Sequence, residues 1–234
     1  MSSICTSGFC PRSLNEIATM LNERVPNGGK YGGTGDKGDW HHDYLDYYET
    51  LLGRFPAGFA LLEIGVYGGY SVACFAKRYS SSHIYGVDIH LDAWHSNVDR
   101  FGLTPSERSR LHVQQADATE ASIVHRVPTD LDVILDDGSH VPDQIIRSFE
   151  LLFPSNLRGG GMYIVEDVHC DQYPFPFMEY AKSLLPFVYK YKDFETCKML
   201  SGRESVQQRF ELDWRYQIKD ITFSRDVVVI TKEE

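Results

Sequence analysis

Leu131-Asp132-Val133-Ile134-Leu135 runs without a break into Asp136-Asp137-Gly138-Ser139-His140. Five residues dominated by branched apolar side chains have the length and composition of a buried strand. Two carboxylates, a glycine and an imidazole therefore emerge where that strand stops, the end at which open α/β sheets place their ligands. A second acidic pair, Glu166-Asp167, closes another apolar run, Met162-Tyr163-Ile164-Val165. If the two strands are neighbours, several carboxylates and one histidine converge, and such a group is unfavourable unless positive charge joins it.

Outward from these runs, strand and helix patterns alternate. Strands are expected at Phe59–Ile64, Ile84–Ile89, Leu111–Gln115, Leu131–Leu135 and Met162–Val165, and helices at Tyr70–Tyr79 and Pro142–Phe153. Continuous apolar strands alternating with helices indicate a parallel sheet covered on both faces. The tail departs from this: Ile218–Phe223 and Val227–Ile230 flank Ser224-Arg225-Asp226 and read as a hairpin. The expected fold is thus α/β and Rossmann-like, a mostly parallel seven-stranded sheet finished by an antiparallel hairpin strand, as in class I methyltransferases.

Upstream, Ser13–Arg24 reads as a short helix with Leu14, Ile17, Ala18 and Leu21 on one face and Ser13 as its N-cap. Pro26–Gly38 holds six glycines. The expected organisation is residues 1–40 as an N-terminal helix and glycine-rich lid segment, and 41–234 as the main domain, opening with a helix in His42–Leu52.

The 234 residues carry a formal charge of −10, which argues against a nucleic-acid partner, since phosphate backbones are held by Lys and Arg. No apolar run is long enough for a membrane span, and the N-terminus lacks the basic start and apolar stretch of a signal peptide. A cytoplasmic location is expected, without a membrane partner. Five scattered cysteines, Cys5, Cys10, Cys74, Cys170 and Cys197, lack zinc-site spacing and are expected as thiols, although Cys5 and Cys10 could pair under oxidising conditions.

The first strand leads into Glu63-Ile64-Gly65-Val66-Tyr67-Gly68-Gly69-Tyr70-Ser71 and then a helix. Gly65 and Gly68 permit a sharp turn and close approach of a ligand to backbone, with Tyr67 and Ser71 in the same loop. The dinucleotide spacing G-x-G-x-x-G is absent, which disfavours a diphosphate. Glu63 is placed to take the ammonium of an amino-acid-like ligand, and S-adenosylmethionine has one. Asp88, at the next strand end, is placed for two ribose hydroxyls, and Asp117, at the third, for an adenine amino group. The plainer alternative makes all three acids caps or loop residues.

Asp137, Glu166 and Asp167 offer hard oxygen ligands that suit Mg²⁺ rather than zinc. His140 then stands as general base toward a hydroxyl acidified by the ion. Asp136 either reaches the cofactor region or orients its neighbour. Lys37, in Asp36–His42, either carries a charge over the cofactor carboxylate on a lid or belongs to a solvated turn. Tyr173–Phe177 walls an acceptor pocket or packs, His169 could contact substrate, and His90, His95, His112 and His125 are expected at the surface.

Several of these elements resemble the metal-dependent sugar O-methyltransferases of macrolide biosynthesis, the macrocin and mycinamicin type, and the related cephalosporin-hydroxylase-like group. The likeness covers about Lys30 to His169. It rests on Tyr31–Gly38, similar to that family's Tyr-Gly-Thr-Asp-Lys-Gly element, on Glu63–Ser71, on Asp88, on Asp136–His140 and on Glu166-Asp167. The resemblance implies S-adenosylmethionine as donor, Mg²⁺ on Asp137, Glu166 and Asp167, His140 as base, and a sugar hydroxyl of a small glycoside as acceptor. Gly33 and Gly35 are additions to the family element, and the large N-terminal domain of some macrolide enzymes is not present. A homo-oligomer is compatible with these features. The rival expectations are a catechol-type O-methyltransferase, an oxygenase, for which no two-histidine and one-carboxylate iron triad is visible, and a cofactor-binding accessory protein without turnover.

Overall fold

The computed structural model describes residues 12–24, 37–38, 42–168, 176–188, 213–224 and 226–234. Its seven strands are β1 (Ala60–Ile64), β2 (His83–Asp88), β3 (Leu111–Gln115), β4 (Leu131–Asp136), β5 (Leu157–Val165), β6 (Ile218–Ser224) and β7 (Val227–Lys232), in the sheet order β3-β2-β1-β4-β5-β7-β6. Pairs β1–β4 and β4–β5 are parallel, while β7 joins β5 and β6 antiparallel. This is the Rossmann-like arrangement expected, with the hairpin in place: Ser224 pairs with Val227 across the turn. No helix among the described residues is long and apolar enough to cross a membrane.

Contacts divide the chain into two units. The first comprises Met1–Phe59, Val66–Gly86 and His90–Gln114, and the second Ala60–Gly65, Val87–Ile89 and Gln115–Glu234.

In the first unit, α1 (Leu14–Arg24) starts at a reciprocal cap: Ser13 Oγ accepts from the Glu16 amide at 3.1 Å, and Glu16 accepts from the Ser13 amide at 2.8 Å. Its apolar face, Leu14, Ile17, Ala18 and Leu21, is buried, and it packs on α3 (Tyr70–Arg78), where Cys74 Sγ donates to the Leu14 carbonyl. Asn15 also donates to Asp46 of α2 (Leu45–Leu52) at 2.7 Å, so the N-terminal helix is part of a packed layer. Burial of each leucine or isoleucine here contributes roughly 1.5–3 kcal/mol. Two short helices, α4 (Asp92–Asn97) and α5 (Pro105–Ser109), were not anticipated.

In the second unit, β4 is buried along its whole length because β1 and β5 flank it. Behind it α6 (Pro142–Ser155) brings Phe149 edge-on to Tyr163 at 5.0 Å and 4.9 Å from Phe153. Strand β5 is longer than expected, beginning at Leu157 and running through Gly159-Gly160-Gly161. The register slips there, from Leu131 opposite Leu157 to Val133 opposite Met162, and Gly160 has φ +73°. Helices α7 (Pro176–Ser183) and α8 (Leu185–Val188) complete the unit. Phe177 is buried 6.5 Å from Phe149, so this end of the proline-aromatic stretch packs; residues 173–175, His169 and Tyr31–Asp36 lie outside the described residues, as do Cys5, Cys10, Cys170 and Cys197. Cys74 is a buried thiol.

Candidate active site

Parallel pairing sets Glu63 opposite Leu135, Ile64 opposite Asp136, and Asp136 opposite Val165. Strands β1, β4 and β5 therefore end side by side, and the loops that follow them are tied by main-chain bonds. The Asp137 amide donates to the Ile64 carbonyl at 3.0 Å, and the Glu166 amide donates to the Asp136 carbonyl at 3.0 Å. Gly65, at φ +89°, lies against the Asp137-Gly138 backbone, where a Cβ would run into the Asp137 carbonyl. The first glycine of the loop thus serves contact between two strand ends as well as its own turn.

The three polar groups that converge are Asp137, His140 and Asp167, each offering one ligand atom within 4.8 Å of the others. His140 Nε2 lies 3.9 Å from Asp137 Oδ1 and 3.9 Å from Asp167 Oδ2. That separation exceeds hydrogen-bond range. It stays under about 4.2 Å, the greatest separation of two ligands each about 2.1 Å from one Mg²⁺. Two carboxylate oxygens with one imidazole thus form a donor set fit for a hard divalent cation. Glu166, grouped by sequence with Asp137 and Asp167, is buried next to the cluster in the chain but is not among these converging atoms, whereas His140 is.

Both His140 (φ +55°) and Asp167 (φ +52°) adopt the left-handed backbone region. A non-glycine residue held there stores about 1–3 kcal/mol, which the surrounding structure must impose. Two of the three residues that meet are thus held in this region, a coincidence invisible in the sequence.

Asp136 is 3% exposed, and its carboxylate is enclosed by donors. Oδ2 accepts from Ser148 Oγ at 2.7 Å and Tyr163 OH at 2.9 Å, and Oδ1 accepts from the Gly138 amide at 3.3 Å. Burial raises its carboxyl to about 6, assisted by the Asp137 charge and opposed by those three hydrogen bonds. Tyr163 is raised as well, by burial and by the Asp136 charge. Ser148 and Tyr163 escaped the sequence reading, yet Ser148 carried a signal: it occupies the apolar stripe Ile145, Phe149, Leu152 of α6.

Glu63 is wholly buried at the end of β1, and Asp88 is half-buried at the end of β2, where its carbonyl accepts from the Ala116 amide at 2.9 Å. Asp117 is exposed, and its Oδ1 accepts from the amide and hydroxyl of Thr119 at 2.8 and 2.7 Å. One of its oxygens is thus committed to a local turn, the bland role for a loop acid. In the first unit, Tyr67 is 71% exposed at φ +44°, Gly68 accepts at its carbonyl from Asn97, and Ser71 is half-buried at the start of α3. Lys37 is 4% exposed and its carbonyl accepts from the amides of Tyr44 and Leu45, which excludes a solvated turn at that residue. His90, His95, His112 and His125 are exposed as expected.

The profile of a family described as a methyltransferase domain matches residues 62–168, from the buried end of β1 to the segment after Glu166-Asp167. Residues 62–168 thus resemble a methyltransferase domain. Among curated relatives of the domain, 8-demethyl-8-alpha-L-rhamnosyl tetracenomycin-C 2'-O-methyltransferase of Streptomyces olivaceus is 28% identical over 57% of this chain and 35% of its own. Mycinamicin VI 2''-O-methyltransferase of Micromonospora griseorubida is 32% identical over 49% of this chain and 28% of its own. The chain thus spans about a third of the length of the curated relatives it matches. Among solved structures, the MycE methyltransferase of the mycinamycin pathway, in complex with Mg, SAH and mycinamycin VI, is similar over 95% of this chain and 49% of its own, with TM-score 0.60 at 20% identity. A caffeoyl-CoA O-methyltransferase structure from Staphylococcus aureus matches at TM-score 0.51 and 18% identity. At such identities the likeness is one of fold.

Proposed function

We propose that the chain is a Mg²⁺-dependent O-methyltransferase that moves a methyl group from S-adenosylmethionine to a hydroxyl of a small, sugar-bearing molecule. The observation that carries this reading is the meeting of Asp137, His140 and Asp167 at the ends of neighbouring strands inside a methyltransferase domain. The acceptor class follows from relatives whose names specify methylation of glycosylated natural products.

In this reading Asp137 and Asp167, with Glu166 completing the set, would hold the ion. A divalent cation there supplies acidification of an acceptor hydroxyl. His140 takes the proton at Nε2, the ring edge that faces both carboxylates, and its strained backbone fixes where that edge points. Glu63 takes the ammonium of the donor and Asp88 its ribose hydroxyls, which orients the sulfonium methyl. Transfer then needs only a desolvated oxygen aligned behind that methyl, so positioning dominates the rate.

The test is a labelled-donor assay against sugars, glycosides and catechols, with Mg²⁺ or with excess chelator. Incorporation into glycosides that stops in chelator and returns with Mg²⁺ is the expected result, and undiminished transfer in chelator would refute the metal requirement. His140→Ala should lower turnover by about 10²–10⁴-fold and leave donor binding within about twofold.

A further inference from the structure

Asp136 is bonded to both segments of the site. Its side chain accepts from Ser148 Oγ, Tyr163 OH and the Gly138 amide, and its carbonyl accepts from the Glu166 amide. Gly138 lies inside the turn that carries Asp137 and His140, and Glu166 directly precedes Asp167. One buried residue is therefore bonded to both segments whose side chains meet.

We propose that Asp136, held by Ser148 and Tyr163, is a positioning residue that fixes the Asp137–His140 turn and the Glu166-Asp167 segment against each other. Ser148 and Tyr163 act on the site through it. Ser148 and Tyr163 are 2% and 0% exposed, and their hydroxyls converge on one oxygen from two elements, α6 and β5. Nothing in packing alone requires that convergence, since a phenylalanine and an alanine would fill the same core without burying two polar groups. Two donors on Oδ2 leave Oδ1 aimed at the Gly138 amide, and this keeps the turn closed on itself. The left-handed backbone of His140 is then imposed from below. What the held groups do rests on the functional reading above; that they are held rests on the contacts.

Tyr163→Phe and Ser148→Ala each remove one donor with little change of shape, while Phe149→Leu disturbs the same core, 5.0 Å from Tyr163, without touching a hydroxyl. Three readouts are needed on each: thermal unfolding, the ¹³C imidazole signals of His140, and Mn²⁺ binding by paramagnetic resonance, with labelled-donor turnover beside them. Hydroxyl removal is expected to shift or broaden the His140 signals, leave those of His83 and His112 in place, weaken Mn²⁺ binding about tenfold or more, and lower kcat rather than raise the acceptor KM. Phe149→Leu is expected to lower the melting temperature at least as far without moving His140 or Mn²⁺ affinity. Unchanged His140 signals in both hydroxyl variants would overturn the proposal, as would equal effects from Phe149→Leu. If the His140 signals shift while the wild type neither binds Mn²⁺ nor transfers methyl, the positioning role stands and the functional reading falls.

Discussion

At the scale of single residues, the site depends on backbone positions that ordinary side chains avoid. Gly65 combines φ +89° with a Cβ position that meets the Asp137 carbonyl. Gly65→Ala therefore pays for both the left-handed backbone and displacement of the Asp137 turn, and a loss of at least about 2 kcal/mol is expected in urea unfolding. His140 and Asp167 are the reverse case, since their strain is kept where a glycine would relieve it. The sequence places these residues at strand ends because apolar runs stop there. It carries no trace of the left-handed φ values, because nothing in a histidine or an aspartate announces them. Nor does it reveal that His140 meets the carboxylates of Asp137 and Asp167, since that is settled by loop geometry.

At the scale of elements, strands with continuous apolar composition are legible and elements built on glycine or on few residues are not. The first half of β5 was hidden because Gly159-Gly160-Gly161 looks like a turn. Helix α5 is five residues long, yet Thr104-Pro105-Ser106-Glu107 announces it: Thr104 Oγ1 accepts from the Glu107 amide, and Glu107 accepts from the Thr104 amide at 2.7 Å. Thr104→Ala should destabilise the protein by about 1 kcal/mol, measured by thermal unfolding at neutral pH. Burial tends to raise the Glu107 carboxyl, but the Thr104 amide and Lys77 outweigh it and hold the group below its ordinary value. The folded protein then binds fewer protons than the unfolded one at this residue. Its contribution is full above the ordinary value of 4.5 and is lost as pH falls through the lowered folded value. Acid titration of Glu107→Gln should accordingly show a smaller loss of stability across that interval than the wild type.

At the scale of the whole molecule, the chain carries 33 acidic against 23 basic residues and gathers some of the acids at one point. A cation bound there stabilises the folded state by mass action, about 2.7 kcal/mol at a hundredfold excess over its dissociation constant. Mg²⁺ should raise the melting temperature by several degrees over chelator, and Asp137→Asn should abolish the difference. Equal melting curves for the wild type in both conditions would count against the ion site without recourse to any substrate.

The insertion of β7 between β5 and β6 also sets an order in time. When β5 leaves the ribosome, its outer edge has no strand to pair with, because residues 227–232 have yet to be made. Until they arrive, the strand that ends at Glu166-Asp167 presents bare amides and carbonyls to the crowded cytosol of any host that expresses it. Asp167 thus follows the strand whose outer edge is the last of the sheet to be closed.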